Sequence, residues 1–434
     1  MVKKRRNCSF AVVAAVFWAF IFGAFIYRFE ITSELSFSWS KLRNKVLEQG
    51  TSDIEKNKAF DTYSRTSPEQ AINDTETEDA MALVEDELGD CDIFDGKWVF
   101  DNVTRPLYRE EECEFLTAQV TCMRNGRKDS RYQNWKWKPN ACSLPKFNAS
   151  LLLKRLTNKR LMFVGDSLNR NQWESMVCLV QSAVPNVRKS LTRTESLQIF
   201  RVEDYNATVE FYWAPFLVES NSDNPRLHSV PSRIILPESI NKHAVNWINV
   251  DYLIFNTYIW WMNTATIKVI EKRGNPFVEI DRPIAYRRVL NTWSKWIENN
   301  VDPKKTSVFF MGMSPLHIKS DDWNNPEGIK CAMERMPIIN GTMAKGAATD
   351  HRILVIARDV MKTTEVPVQF VDITALSELR KDAHTSVHTI RQGKMVSPEQ
   401  QADPQTYADC IHWCLPGLPD TWNEFIYARI VSTK

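Results

Sequence analysis

The spacing of apolar residues changes character along the chain. Between Arg6 and Arg28 the run NCSFAVVAAVFWAFIFGAFIY carries no charge. At about 1.5 Å per residue it crosses a hydrocarbon layer of roughly 30 Å as a helix. A membrane span over 7–28 is therefore predicted, in preference to a signal peptide, whose apolar stretch is usually about 7–15 residues and ends at a small-residue cleavage site. Residues 29–89 then lose apolar periodicity and become acidic, as in INDTETEDAMALVEDELGD, which reads as a flexible stem. Beyond it, short β-branched or aromatic runs alternate with helical spacing. RLMFVG (160–165), DYLIFNT (251–257), SVFFMGM (307–313) and VQFVDIT (368–374) read as strands. A helix is predicted from 168 to 181. A second carries Ala285, Val289, Trp293, Trp296 and Ile297 on one face, and HRILVIARDVMK supplies a third. Strands alternating with helices predict an α/β fold, a parallel sheet flanked by helices on both faces.

Charge and cysteines place this domain. The net charge is +2, yet Lys3, Lys4, Arg5 and Arg6 alone supply +4, so the rest is slightly acidic and no basic patch points to nucleic acid. The basic cluster predicts a cytosolic tail (1–6) and a luminal remainder, the orientation of a single-pass type II protein. Cys8 sits at the edge of the span, and the other eight cysteines all follow it, an even number that suits disulfides in an oxidising lumen. Five sequons, at Asn73, Asn102, Asn148, Asn206 and Asn340, also fall only after the span and are candidate glycosylation sites. From Cys91 onward the composition changes again. Residues 90–434 form the luminal domain, divided into a Cys- and Trp-rich segment (90–145) and a region (146–434) that carries the candidate chemistry.

In a parallel sheet, functional groups gather where strands end and helices begin. Ser167 stands at such a corner, in RLMFVGDSLNRNQWESMVC, after Gly165, which lets the backbone turn sharply. Serine is also a common helix N-cap, so the corner alone does not establish a nucleophile. A nucleophilic serine needs a histidine to take its proton and a third group to orient that histidine. Of seven histidines, His228 and His243 lie in polar stretches, His317 follows a Ser-Pro turn and His351 opens a helix. His384 and His388 have the spacing of a zinc-protease pair, but Thr385 occupies the place of its glutamate, and no metal is expected. His412 differs. In YADCIHWCLPGLPDTWNEF it stands three residues after Asp409, flanked by Cys410 and Cys414, so that a pinned turn can bring the carboxylate to its own imidazole.

G-D-S after a strand together with D-x-x-H near the C-terminus is the pairing of the SGNH/GDSL hydrolase-like families, and the G-x-S-x-G elbow of α/β-hydrolases is missing. More closely, the chain resembles the plant trichome birefringence-like polysaccharide O-acetyltransferases, nearest their xylan-acetylating branch. The resemblance runs from CDIFDGKWVFD through RYQNWKWKPNACSLPKFNA, the Ser167 corner, FNTYIWW and RKDAHTSVH to DCIHWCLPGLPDTWNEF. It implies Ser167 as nucleophile, His412 as general base and Asp409 as its orienter. It also implies a large α/β lobe and a smaller disulfide-rich one with the site between them, and a Golgi membrane location. By position Asn256 looks like the oxyanion-hole asparagine of the wider group, whose glycine donor has no clear counterpart. Arg170 is a further candidate for shaping the site, although a salt bridge at the helix start explains it nearly as well. Eight cysteines allow 105 pairings; the resemblance implies Cys91–Cys142, Cys113–Cys178, Cys122–Cys414 and Cys331–Cys410.

The function this resemblance implies is acetyl transfer to O-2 or O-3 of xylosyl residues. The acetyl donor, acetyl-CoA or another acetyl carrier, is a co-substrate, no cofactor is permanently bound, and a complex with other wall-polysaccharide biosynthetic proteins is a possible setting. Trp260 and Trp261 are candidates for stacking on sugar rings, although tryptophans more often fill cores. Three alternatives stay open: another wall polysaccharide such as mannan, xyloglucan or pectin as acceptor, a carbohydrate acetylesterase, and a wall-polymer binding protein without activity.

Overall fold

The computed structural model describes residues 91–432, apart from 183–187, 273, 340–348 and 392. The predicted tail, span and stem, with Cys8, Asn73 and Asn340, lie outside the described residues. No helix among the described residues is long and apolar enough to cross a membrane.

Two strands open the described chain, β1 (Gly96–Phe100) and β2 (Trp135–Pro139), paired antiparallel with Trp98 opposite Trp137. Helix α1 (Ala149–Arg155) follows, and the Asn148 side chain accepts its Leu151 amide. The run RLMFVG becomes β3 (Arg160–Gly165), buried from Leu161 onward, and leads into α2 (Ser167–Ser182). Strands β4 (Lys189–Arg193), β5 (Leu197–Val202) and β6 (Ala207–Trp213) come next, then β7 (Tyr252–Asn256), α3 (Arg282–Asn300), β8 (Ser307–Met311), α4 (His351–Thr363) and β9 (Val368–Val371). The chain closes with β10 (His384–Ser386), β11 (Asp409–Trp413) and α5 (Leu418–Ser432).

Seven strands form one sheet in the order β9, β8, β7, β3, β6, β5, β4. The five from β9 to β6 run parallel, as the sequence predicts, whereas β5 and β4 add an antiparallel edge. The sheet is mixed, and this corrects the all-parallel expectation. Lys189–Arg193 is polar and partly exposed, which suits an edge strand and hides it from a search for buried runs. From β3 the chain first moves outward through α2 to β6, then returns to the other side of β3 and continues through β7, β8 and β9. Right-handed crossovers therefore put α2 and α3 on opposite faces. Accordingly α2 packs against α1 and α5, and α3 against α4. The direction of winding reverses between β3 and β7, which opens a crevice at their C-terminal ends.

The disulfide-rich segment contributes to two buried clusters, the smaller of which joins Tyr108, Cys113, Leu116 and Val120 to Cys178, Leu179 and Leu415. Ile93, Trp98, Cys122, Tyr132, Trp135 and Trp137 belong to the same buried cluster as the central strands. All four disulfides join the pairs that the resemblance implies, Cys91–Cys142, Cys113–Cys178, Cys122–Cys414 and Cys331–Cys410. Arg127 adds a polar tie, donating to the carbonyls of His384 at 3.0 Å and Asp382 at 2.6 Å.

Gly165 has a different reason from the sharp turn expected of it. It pairs with Asn256 across β3 and β7, and a Cβ there would stand 2.0 Å from the Asn256 carbonyl oxygen. Gly165 is required by strand approach. Gly165→Ala should lower stability by about 1–3 kcal/mol or more, as overpacking at a rigid backbone contact does; thermal unfolding of the purified variant measures it.

Candidate active site

A serine at the start of a helix can serve as its cap or keep its hydroxyl free. Here Asp166 caps α2: its Oδ1 accepts the Leu168 amide at 2.9 Å, and its carbonyl accepts the Arg170 amide at 3.1 Å. Ser167 is thus the first helical residue and its hydroxyl is not spent as a cap. Its backbone N–H belongs to the first turn of a helix, where amides lack intrahelical partners and the dipole favours negative charge.

Across from it stands the turn that opens β11. Asp409 Oδ1 accepts the amides of Ile411 at 2.9 Å and His412 at 3.1 Å, and Oδ2 meets His412 Nδ1 at 2.7 Å. His412 Nε2 lies 2.8 Å from Ser167 Oγ. Ser167, His412 and Asp409 are therefore brought together in one hydrogen-bonded line. Burial alone would raise the Asp409 carboxyl, but the charge and hydrogen bonds of His412, with the Ile411 amide, outweigh it and hold the group well below the usual carboxylate range. A carboxylate that stays ionised fixes the Nδ1–H tautomer and directs Nε2 at the hydroxyl. The His412 and Asp409 side chains are 13% and 16% exposed, so a reactant can reach the line from outside.

The two halves are clamped. Asn171 on α2 accepts the Trp413 amide at 2.8 Å and donates to the Trp413 carbonyl at 3.2 Å, tying the serine helix to the histidine strand. Asn169 donates to the Ile254 carbonyl at 3.1 Å and fixes the same helix to β7. Cys410 and Cys414, on either side of His412, are bonded to Cys331 and Cys122.

The remaining predicted residues fare unequally. Asn256 ends β7 level with Gly165; its side chain is buried and neither polar atom has a hydrogen-bond partner among the described residues. Arg170 is held by Gln119 and lies 3.8 Å from the buried Glu174, the salt-bridge reading, while its charge is also felt at His228. Trp261 is 1% exposed and donates to Thr257 Oγ1, a core residue and no sugar platform. Trp260 is covered on its face by the Arg233 guanidinium at 3.6 Å and touched at its edge by His228.

His228 is the neighbour that sequence reading set aside as a loop residue. It lies against Trp213, which ends β6 opposite Gly165, and against Trp260. Burial and the charges of Arg170, Arg233 and His412 depress its basicity despite a hydrogen bond to the Pro225 carbonyl. No local signal marks it, because it arrives on the long connection after β6. His243, also read as a loop residue, is buried in a short helix with Nε2 3.3 Å from Asp223.

The chemistry open to this geometry is narrow. An imidazole so placed can take the hydroxyl proton of Ser167 while the aspartate balances the charge. That defines the class, SGNH-like α/β proteins arranged for acyl transfer through serine. The chain belongs to the PC-Esterase family, described as the GDSL/SGNH-like acyl-esterase family found in Pmr5 and Cas1p, which it matches over residues 144–429. Residues 89–143 match the PMR5 N-terminal domain. It is 63% identical over 350 residues to xylan O-acetyltransferase 6 of Oryza sativa subsp. japonica, covering 79% of this chain and 63% of that protein. Xylan O-acetyltransferase 7 of the same plant is 60% identical over 366 residues, covering 80% and 60%. Protein trichome birefringence-like 31 of Arabidopsis thaliana is 47% identical over 350 residues, covering 80% and 84%. The chain thus spans less than two thirds of the length of the two rice proteins.

Asp166 offers a test of the corner itself. Burial pushes its carboxyl up to about 6, against the opposing hydrogen bonds of the Leu168, Tyr258 and Ile259 amides. A folded-state value above the unfolded one means that the ionised group costs stability above about pH 6 and that the cost disappears as pH falls toward 4. Wild-type stability relative to Asp166→Asn should therefore rise on acidification through that window, by roughly 3 kcal/mol at most; paired denaturant melts at pH 4.5 and about 7 measure the difference.

Proposed function

We propose that this protein is a xylan O-acetyltransferase working by double displacement through Ser167. The observation that carries the reading is the 2.8 Å contact of His412 Nε2 with Ser167 Oγ, backed by Asp409. The choice of xylan rests on the names of the rice relatives.

In the first half-reaction Ser167 Oγ attacks the carbonyl carbon of the acetyl donor and His412 Nε2 takes the hydroxyl proton. Collapse of the tetrahedral intermediate breaks the bond to the donor's leaving atom, which receives that proton, and acetyl-serine remains. A xylosyl hydroxyl then gives its proton to His412 and attacks the ester, and Ser167 Oγ takes the proton back as the acetylated sugar leaves. Both tetrahedral intermediates carry an oxyanion. The Ser167 amide and the Asn256 side chain are the donors assigned to it, and loss of one such donor costs typically about 100- to 1000-fold.

The predicted span over 7–28 and the eight bonded cysteines fit a Golgi membrane protein with a luminal site. Asn102, Asn148 and Asn206 are exposed and accessible to glycosylation. In the cap made by Asn148 it is Oδ1 that accepts, which leaves its amide nitrogen to carry a glycan. Acetyl-CoA or another acetyl carrier would serve as donor.

Full-length protein given xylo-oligosaccharides and an acetyl donor should yield oligosaccharides acetylated at O-2 or O-3, read by NMR. Ser167→Ala should lower transfer by about 1000-fold or more, and Asp409→Asn by a similar order through loss of the correct tautomer. Deacetylation of acetylated xylan without transfer would replace this reading with an esterase.

A further inference from the structure

The turn that presents Asp409 and His412 is a bowed segment. The β10/β11 ladder pairs His384 with Trp413 and Ser386 with Asp409, so a single residue, Thr385, faces three, Cys410, Ile411 and His412. The bow lets the Asp409 carboxylate reach the amides of Ile411 and His412 and the ring of His412. It also takes the carbonyls of the turn off the ladder, where they need other donors. They find them in a small set of residues. Thr385 Oγ1 donates to the Asp409 carbonyl at 3.4 Å, the His317 amide to the Cys410 carbonyl at 3.4 Å, and His384 Nδ1 to the His412 carbonyl at 3.1 Å.

His384 is itself held. Its ring stacks on Trp413 with centroids 3.7 Å apart, and its Nε2 lies 2.7 Å from His317 Nδ1. His317 Nε2 lies 2.9 Å from the Glu378 carbonyl. His317 and His384 are buried, at 0% and 1% exposure, and neither takes part in the proton transfers at Ser167. We propose that His384 and His317 are positioning residues: a buried pair of imidazoles that holds the His412 carbonyl and so keeps the bowed turn aimed at Ser167. This rests on the reading of Ser167, His412 and Asp409 as an acyl-transfer site.

The protons available to the pair make its role specific. A carbonyl oxygen only accepts, so His384 Nδ1 carries a hydrogen and, in a neutral ring, Nε2 is left as a lone pair that His317 Nδ1–H must meet. Two neutral rings hold two N–H groups for three contacts, which leaves the Glu378 carbonyl without one unless the pair takes up a third proton. Asp382 and Glu334 favour that proton at His317 and Asp409 favours it at His384, while Lys381 and His412 oppose it and each ring opposes a charge on the other. Burial decides the balance, holding His384 well below the usual histidine range and His317 down to about 4. The hydrogen bond that matters at neutral pH is the one to the His412 carbonyl.

Labelling of Ser167 by a fluorophosphonate reads serine activation without any polysaccharide or acetyl donor, so it separates this proposal from the choice of substrate. Wild-type full-length protein should label, and Ser167→Ala and His412→Ala should not. His384→Leu should label about tenfold or more slowly, as a displaced catalytic group does, and in the transfer assay should lower kcat with little change in acceptor KM. His384→Asn, which returns an amide N–H near the place of Nδ1, should recover to within about threefold of wild type, and His317→Leu, which removes the N–H that meets His384 Nε2, should label about threefold or more slowly than wild type. Thr385→Val, which tethers the other end of the bow more weakly, should slow labelling about threefold and keeps the test open if His384→Leu does not fold. Wild-type labelling in His384→Leu, or a His384→Asn variant as slow as His384→Leu, would overturn the proposal. Labelling of Ser167→Ala at another serine, with wild-type transfer, would remove the site and the proposal together.

Discussion

A proton can pass between Ser167 and His412 only if two side chains 245 residues apart in sequence stay within hydrogen-bond distance, and most of the fold can be understood as the means of keeping them there. Each side is anchored separately. Asp166 caps the serine helix and Asn169 pins it to β7, so the hydroxyl is presented from the rigid end of a central strand. On the histidine side Asp409 folds the backbone around its own carboxylate, and the Cys331–Cys410 and Cys122–Cys414 bonds fasten both ends of the turn. Those crosslinks close loops of 79 and 292 residues, and in the chain-entropy view they remove roughly 4.5 and 5.7 kcal/mol of unfolded-state entropy taken singly. Asn171 joins the halves directly through both polar groups of Trp413.

Sheet topology explains why this meeting point is also a crevice. Winding starts at β3, moves to β6, and resumes on the other side at β7, so the loops after β3 and β7 diverge above the sheet. Close approach of those two strands is permitted by Gly165, and it brings the Asn256 end of β7 level with the corner. The connection after β6 returns over the same edge and lays His228 against Trp213 and Trp260. His228 thus brings an aromatic and basic neighbourhood toward the site, where the charge of His412 is felt at its ring.

Features set by local pattern could be read from the sequence. Leu161–Val164, Leu253–Phe255 and Val308–Met311 are continuous buried runs, and α3 and α4 show a one-sided apolar spacing, so their type and order were legible. The Asp409–His412 pair was legible because a three-residue spacing inside a crosslinked turn nearly dictates its geometry. Family resemblance, and no spacing argument, carried the disulfide pairings. What escaped depends on partners distant in sequence. Lys189–Arg193 has too few buried positions to announce a strand and exists because β5 offers it a partner. Trp261 looked like a sugar platform because two adjacent tryptophans after a strand end are ambiguous until Phe216 and Tyr286 are seen to cover one of them. His384 and His317 gave no sign of each other, since only the β10/β11 ladder and the loop after β8 bring them into contact.

The central claim is that the hydroxyl at the end of β3 becomes covalently acylated because the imidazole on β11 removes its proton. Intact-protein and peptide mass spectrometry after quenching a mixture of the protein and an acetyl donor, with no acceptor present, tests this most directly. The account predicts one acetyl group on the peptide containing Ser167, lost on addition of xylo-oligosaccharide and absent from His412→Ala. Rapid acetyl transfer to the oligosaccharide with Ser167 never modified under any quench time would contradict it.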